Sequence, residues 1–202
     1  MKLLGNNQRG KIFVISAPAG TGKTTLVHLL HKEFPCVVES ISFTTRKPRL
    51  SEKEGEHYFF ISEQEFLEKK RRGDFLEDVK IFDAYYGTDK ATVERELNKG
   101  HHVVLVIDTQ GAMILKKKTP AVFIFISPPS LEELERRLHQ RKSESEETLK
   151  KRLSLAVHEM EMVKEYDYHI VNLDLKVAYN VLKSIVIAEE HSQKEGTWPK
   201  KT

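Results

Sequence analysis

The sequence of 202 residues contains one cysteine, Cys36, and no apolar run that approaches the ~20 residues of a membrane-spanning helix. A single cysteine cannot form an internal disulfide framework and suits a reducing compartment, so we expect a cytoplasmic protein. The first residues lack the apolar run of a signal peptide. No internal repeat or low-complexity tract is present. These absences predict a protein without a membrane partner.

An excess of charge of one sign is lacking as well. The 33 Lys and Arg residues face 30 Asp and Glu residues, which leaves a net charge of +3 with both signs interspersed. Composition therefore gives no argument for nucleic acid, and we expect no nucleic-acid partner. Hydrophobic residues make up 39% of the chain, which suits one globular domain with a sizeable core.

The most informative stretch is residues 11–26, where an apolar run is followed by small residues and then by a helical pattern. The β-branched run at 12–15 predicts a buried strand, and leucines at helical spacing predict a helix over 23–34. Strand, glycine loop and helix form the context that a phosphate-binding P-loop requires, because backbone N–H groups and the helix N-terminus can surround an anion. The predicted nucleotide-binding residues of this loop are Ala17, Pro18, Ala19, Gly20, Thr21, Gly22, Lys23, Thr24 and Thr25.

Three residues of the loop carry specific expectations. We expect Lys23 to reach the β- and γ-phosphates and the Thr24 hydroxyl to bind Mg²⁺. Ala17 stands where the P-loop pattern has its first glycine. Because alanine tolerates a positive φ poorly, the loop must hold Ala17 at an ordinary φ or accept strain. The motif thus predicts a nucleotide site without naming the nucleotide.

Helical patterns alternate with buried apolar runs along the chain, which predicts an α/β protein with a central parallel sheet flanked by helices. The run at 103–107 reads as a central strand with Asp108 at its C-terminal edge. Within the insertion described next, the sequence predicts a turn at 85–87 and a helix capped by Thr88. We predict one domain over 1–202, divided into a P-loop core (1–41, 89–135 and 153–202), an insertion with small strands (42–88), and a short lid with its flanks (136–152).

Arginines form two groups at spacings that suit phosphate. Arg46 and Arg49 lie three residues apart on a proline-containing loop, so both guanidinium groups can face one phosphate bidentately. Arg137 and Arg141 lie four apart on one helix face, and Arg152 lies early in the next long helix. These three flank a polar loop, and we expect them to close over a phosphate chain.

Glu77 lies in an extended run with apolar neighbours. A buried carboxylate there would accept two adjacent hydrogen bonds, which guanine offers through N1–H and its amino group and adenine does not. An exposed strand glutamate is the alternative interpretation.

Beyond these motifs, residues 10–190 resemble the guanylate kinase family. The resemblance is carried by residues 16–24, 42–49, 75–77, 85–88, 107–111, 126–130 and 170–172, with Glu52, Gly55, Tyr58, Arg137, Arg141, Glu144, Arg152 and Leu153. It implies a P-loop kinase fold and reversible phosphoryl transfer from ATP to GMP and dGMP, with Mg²⁺ as cofactor. The insertion would then be a GMP-binding subdomain.

The resemblance also implies a role for each matching residue. Asn172 would contact the adenine of ATP, and Thr24 would bind the metal, with Asp108 as a candidate ligand through water. The implied catalytic residues are Lys23, Arg46, Arg137, Arg141 and Arg152. The implied GMP-binding residues are Ser42, Arg46, Arg49, Glu52, Tyr58, Glu77, Tyr86 and Thr88.

Three positions depart from the family pattern: Val106 replaces an acidic residue, Lys142 a lid glycine and Leu173 an aspartate. Three other functions are less favoured by the sequence. A P-loop GTPase fits the D-x-x-G element at 108–111, although residues 98–101 lack the aspartate of a guanine-reading motif. A non-catalytic scaffold module of the same fold and a kinase for another nucleoside monophosphate are the others. We expect a monomer or a small homo-oligomer.

Overall fold

The computed structural model describes residues 2–140 and 146–192. Within these ranges the strands are β1 (Ile12–Ser16), β2 (Val37–Ser40), β3 (Phe43–Thr44), β4 (Phe59–Phe60), β5 (Phe75–Ile81), β6 (Ala84–Asp89), β7 (His102–Val106), β8 (Val122–Ser127) and β9 (Tyr168–Val171). The α-helices are α1 (Lys23–Glu33), α2 (Glu63–Arg72), α3 (Lys90–Asn98), α4 (Thr109–Lys116), α5 (Leu131–Gln140), α6 (Glu146–Glu161) and α7 (Leu175–Glu190), and a 3-10 turn at Met162–Glu165 follows α6. None of the helices in the described ranges combines the length and apolar character needed to cross a bilayer.

The larger sheet has five parallel strands in the order β2-β7-β1-β8-β9, with β1 at its centre. Side chains alternate between its two faces. Phe13 and Ile15 pack in a core that α1 and α7 share, whereas Ile12 and Val14 pack in a second core with α3 and α4. This confirms the predicted α/β fold with a central parallel sheet flanked by helices. Ligands of such sheets bind beyond the carboxyl ends of the strands, which places Ser16 at the edge of interest.

The smaller sheet has the order β4-β3-β6-β5 and lies within the predicted insertion. Its strands are short, but aromatic rings cover one face and give it a core of its own. Phe66 of α2 is fully buried, with ring centroids 4.6 Å from Phe75 and 5.3 Å from Tyr85. A capping box between Ser62 and Glu65 fixes the N-terminus of this helix.

Two local predictions in the insertion are wrong. Residues 85–87 form part of β6 and not a turn, because the chain reverses at Phe82, where φ is 53°, so that Ile81 pairs with Ala84. Helix α3 is capped by Asp89, whose carboxylate accepts a hydrogen bond from the N–H of Thr92 at 2.8 Å. Thr88 is therefore not used as the cap, and its hydroxyl donates a hydrogen bond to Glu77.

Helix α4 is an element that the sequence patterns do not predict. Asp108 caps it, since its Oδ1 accepts hydrogen bonds from the N–H groups of Gln110 at 2.7 Å and Gly111 at 3.2 Å. Its eight residues are too few for a clear helical period.

The flanks of the predicted lid are α5 and α6, which pack together through Leu134, Leu138 and Ala156. Arg141 and Lys142 lie outside the described residues.

Candidate nucleotide site

The P-loop connects the end of β1 to the first turn of α1. Ala17 has an ordinary φ, since within the described residues the non-glycine residue at positive φ is Phe82. The loop makes its left-handed turns at Gly20 (φ 93°) and Gly22 (φ 89°), which favour glycine. A Cβ on Gly22 would also lie 2.7 Å from Nδ2 of Asn172. Ala17 therefore replaces the first glycine of the P-loop pattern without strain.

Lys23 folds back over the P-loop, and its Nζ donates a hydrogen bond to the Ala17 carbonyl at 2.8 Å. Burial lowers the pKa of Lys23, while the charges of Glu159, Asp108 and Glu39 act in the opposite direction. The ammonium therefore lies at the C-terminal edge of the sheet among carboxylates. A nucleotide phosphate would offer it a stronger acceptor than a carbonyl.

Glu159 is a candidate functional residue that sequence reasoning missed. It lies on α6 with 7% of its surface exposed. Burial raises its pKa to about 7, an effect that the charge of Lys23 opposes and that of Asp108 reinforces. No motif marks this position, and its approach to the P-loop depends on how α6 packs on α5.

Thr24 and Asp108 supply oxygen atoms near the P-loop, and both fit the preference of Mg²⁺ for hard oxygen ligands. Thr24 is exposed on the first turn of α1, and the Asp108 carboxylate is held at the neighbouring strand end by the cap of α4. Among the described residues, no group of three or more His, Cys, Asp or Glu side chains could form a metal cage. Magnesium bound mainly by water and nucleotide phosphates needs no such cage.

A cationic pocket lies on the loop that connects β3 to β4 of the small sheet. Arg46 donates from its guanidinium group to Glu52 Oε1 at 2.8 Å and to the Tyr86 hydroxyl at 3.2 Å, and the ring centroid of Tyr58 lies 5.4 Å from its Cζ. Burial favours protonation of Glu52, but the hydrogen bonds from Arg46 and from the N–H of Arg49 outweigh it and lower the Glu52 pKa. The structure thus brings these predicted residues together, with the Arg49 side chain exposed at the rim.

A buried carboxylate lies on β5 beside this pocket. Glu77 is 3% exposed, and Thr88 on the paired strand β6 donates to its Oε1 at 2.7 Å. A Cβ on Gly111 would lie 2.8 Å from Glu77 Oε2, so glycine allows the first turn of α4 to approach. Burial raises the pKa of Glu77 to about 7, the Thr88 hydrogen bond lowers it, and the charge of Asp108 raises it further. The interpretation of Glu77 as an exposed strand residue is therefore wrong.

Ser42 belongs to the same pocket by its register. It precedes Phe43, which pairs with Gly87, so it lies opposite Thr88 at the end of β3. Ser42 is half-buried.

The lid flank contacts the P-loop through Asn172. Arg137 donates to Glu133 Oε1 at 2.8 Å and to the Asn172 carbonyl at 3.1 Å. The Asn172 side chain is buried and donates from Nδ2 to the Thr21 carbonyl at 2.6 Å. Its amide donor is engaged within the protein, so its contact with adenine stays a prediction. Arg152 is half-buried on α6.

The predicted residues thus form two sets, one around the P-loop and one in the insertion. Glu77 connects them, because it contacts the first turn of α4, whose cap is Asp108 of the first set. A P-loop on a parallel sheet, facing an inserted sheet with a cationic pocket and a buried carboxylate, defines a nucleotide-binding P-loop protein.

Comparison with known proteins narrows this class. The family model described as Guanylate kinase matches residues 9–189. The chain therefore belongs to the guanylate kinase family.

Individual relatives agree with this assignment. A guanylate kinase of Protochlamydia amoebophila is 56% identical over 191 residues, which cover 95% of this chain and 97% of the relative. A guanylate kinase of Chlamydia trachomatis is 53% identical over 187 residues, which cover 92% of this chain and 91% of the relative. The crystal structure of guanylate kinase from Anaplasma phagocytophilum superposes with a TM-score of 0.75 at 33% identity, covering 95% of this chain and 90% of the other.

Proposed function

We propose that the chain is an ATP:GMP phosphotransferase that reversibly transfers the γ-phosphoryl group of ATP to GMP, and to dGMP, giving ADP and GDP. Family membership supports the reaction. The observation that carries the choice of acceptor is Glu77, a buried carboxylate with one fixed hydroxyl donor, beside the cationic pocket of Arg46. A nucleoside monophosphate has one base and one phosphate, and this arrangement offers a partner to each.

The acceptor site reads guanine by pairing a carboxylate with two N–H donors. Glu77 accepts N1–H and the exocyclic amino group, with Thr88 and Ser42 completing the pocket. Adenine would leave the carboxylate without those donors, and an unpaired buried charge is costly. The GMP phosphate is bound by Arg46, Arg49, Tyr58 and Tyr86, and Glu52 holds Arg46 in place.

The donor site is the P-loop. Its backbone N–H groups and Lys23 bind the β- and γ-phosphates of ATP, and Asn172 lies at the adenine side. Thr24 and Asp108 would hold Mg²⁺, which when bound neutralises charge on the phosphates. When ATP binds, the Lys23 ammonium exchanges its hydrogen bond to the Ala17 carbonyl for one to an anionic phosphate oxygen, which is a stronger acceptor.

Transfer requires alignment and charge stabilisation more than acid–base chemistry. The attacking phosphate oxygen of GMP is already an anion, so no strong base is needed. Arg46, Arg137, Arg141 and Arg152 neutralise the charge of the transferring group, and this contribution grows when water is excluded. Closure of the lid over both substrates also prevents transfer to water.

Each predicted segment of the chain has its own role in this reaction. Residues 1–41, 89–135 and 153–202 form the P-loop core, 42–88 bind GMP, and 136–152 form the lid. We also propose a cytoplasmic enzyme, monomeric or a small homo-oligomer, without nucleic-acid or membrane partners.

An acceptor panel tests the proposal. Mg·ATP is supplied with GMP, dGMP, IMP, AMP, CMP or UMP, and ADP release is followed by a coupled assay. We expect GMP and dGMP to be used well, IMP poorly because it lacks the amino group, and the others hardly at all. Preference for AMP or UMP would keep the kinase and refute the role of Glu77, whereas nucleotide binding without turnover would favour the scaffold alternative.

A further inference from the structure

Asn172 connects two parts of the site. It follows β9, and its N–H donates to the Ser127 carbonyl at 2.8 Å, which fixes its backbone at the end of the sheet. From there its side chain, 4% exposed, reaches the P-loop and donates to the Thr21 carbonyl at 2.6 Å.

The orientation of that carbonyl matters for phosphate binding. A trans peptide is planar, so the Thr21 C=O and the Gly22 N–H point in opposite directions. A donor that fixes the Thr21 carbonyl therefore also fixes the direction of the Gly22 N–H. The absence of a Cβ at Gly22 makes room for this donor, since a Cβ there would lie 2.7 Å from Nδ2 of Asn172.

The backbone carbonyl of Asn172 contacts α5, the helix that flanks the predicted lid and is called the lid helix below. The Asn172 carbonyl accepts a hydrogen bond from Arg137 at 3.1 Å, and Arg137 is held in turn by Glu133 at 2.8 Å. Helix α5 also packs against the loop, because a Cβ on Gly20 would lie 3.0 Å from Leu138 Cδ2. Asn172 therefore contacts both the P-loop and α5.

We propose that Asn172 is a positioning residue that aims the Gly22 N–H at the nucleotide phosphates and couples the P-loop to the lid helix through Arg137. This role rests on the proposed function and refines it, because the buried side-chain amide of Asn172 then acts by orienting the P-loop. It requires no direct contact with the nucleotide.

Binding measurements on Asn172→Ala and Asn172→Asp test the role. Alanine leaves the Thr21 carbonyl without a donor, and aspartate keeps the size but places an acceptor against it. We expect the Kd for ADP, measured by titration calorimetry, to rise about tenfold in Asn172→Ala, equivalent to ~1.4 kcal/mol, and further in Asn172→Asp. The Kd for GMP should stay within about twofold, because a lost hydrogen bond acts locally. Asn180→Ala, an exposed amide on α7, is the matched control and should bind both ligands as the wild type does.

A double-mutant cycle tests the coupling. If Asn172 transmits the position of Arg137 to the loop, then Arg137→Ala should weaken ADP binding less in the Asn172→Ala background than in the wild type. We expect the combined loss to fall short of the product of the single losses by about threefold or more, as is typical of coupled neighbours. Losses that multiply would refute the coupling.

The outcomes separate this inference from the proposed function. Wild-type protein that binds neither ADP nor GMP would overturn both. Unchanged ADP affinity in the variants, or equal losses for ADP and GMP in folded protein, would overturn the positioning role alone. The thermal unfolding transition, measured on the same samples, reports whether Asn172→Ala is folded, and Asn172→Asp gives a second test at nearly constant side-chain volume.

Discussion

The titration of Glu77 makes the most quantitative test of the acceptor pocket. The carboxylate is buried between β5 and the first turn of α4, with one hydrogen bond from Thr88. Its pKa is raised from 4.5 to about 7, first by burial. Because the folded-state pKa lies above the unfolded-state pKa, the stability that the protonated form contributes is present below pH 4.5 and is lost as pH rises through 7.

Replacing Glu77 by glutamine removes this titration and keeps the shape of the side chain. The rise of the pKa corresponds to about 3 kcal/mol, since each pH unit is worth about 1.4 kcal/mol. Relative to the wild type, Glu77→Gln should therefore gain up to about 3 kcal/mol in unfolding free energy between pH 4.5 and 7, and nothing more above 7. Glu159 titrates in the same range but is present in both proteins, so it cancels in the difference.

Urea unfolding of both proteins at half-unit pH steps measures this difference. Calorimetry in buffers of different ionisation enthalpy adds a second readout, because guanine requires the ionised carboxylate. In the wild type GMP binding should release about 0.9 proton more at pH 6, and about 0.1 more at pH 8, than in Glu77→Gln, which should bind GMP weakly. The phosphate of GMP, with a second pKa of about 6, contributes to both proteins and cancels in this difference. A stability difference that is independent of pH, together with equal proton release from the two proteins on GMP binding, would refute the reasoning.

Three further substitutions test other parts of the site. Arg46→Lys should lower kcat with GMP by about 100-fold or more, because lysine lacks the bidentate fork; near-normal turnover would contradict this, and the exposed Arg9→Lys is the control. Glu159→Gln should raise the KM for ATP and leave the KM for GMP unchanged, since it removes a charge that favours protonated Lys23; equal changes in both constants would argue against it. Gly22→Ala should destabilise the fold by about 1–3 kcal/mol and weaken ADP binding, because φ is 89° there and a Cβ meets Nδ2 of the neighbouring asparagine; an unchanged Tm and Kd would show that the loop adapts.

The core of the fold could be predicted because its signals are local and mutually consistent. The β-branched run of β1, the glycines of the P-loop and the leucines of α1 each favour the element that forms there. The Ser-x-x-Glu sequence that begins at Ser62 likewise favours a helix start at the residue where α2 begins. In these places local propensity and tertiary structure agree.

The prediction failed where tertiary contacts override local signals. The Tyr-Tyr-Gly sequence at 85–87 has turn-like composition, but β5 and the aromatic core hold it as a strand. Asp89, one residue after the expected cap, starts α3 and leaves Thr88 for Glu77.

In the candidate site, the residues that could be predicted are those that belong to a local motif or stand out by residue type. The P-loop is contiguous, and Arg46 and Glu77 stand out by residue type and neighbours. Glu159 was not predicted, and the family resemblance named Asn172 without its hydrogen bond to the P-loop. Glu159 interacts electrostatically with Lys23, 136 positions away along the chain, and Asn172 bonds to Thr21, 151 positions away. Such contacts leave no periodicity or spacing for a single sequence to show.

The central claim is transfer of the γ-phosphoryl group to GMP, and ³¹P NMR of a reaction with Mg·ATP and GMP tests it most directly. We predict that the resonances of GDP and ADP grow together in a one-to-one ratio, with little inorganic phosphate. Release of inorganic phosphate without GDP, or unchanged ATP and GMP in the presence of demonstrated nucleotide binding, would contradict the account.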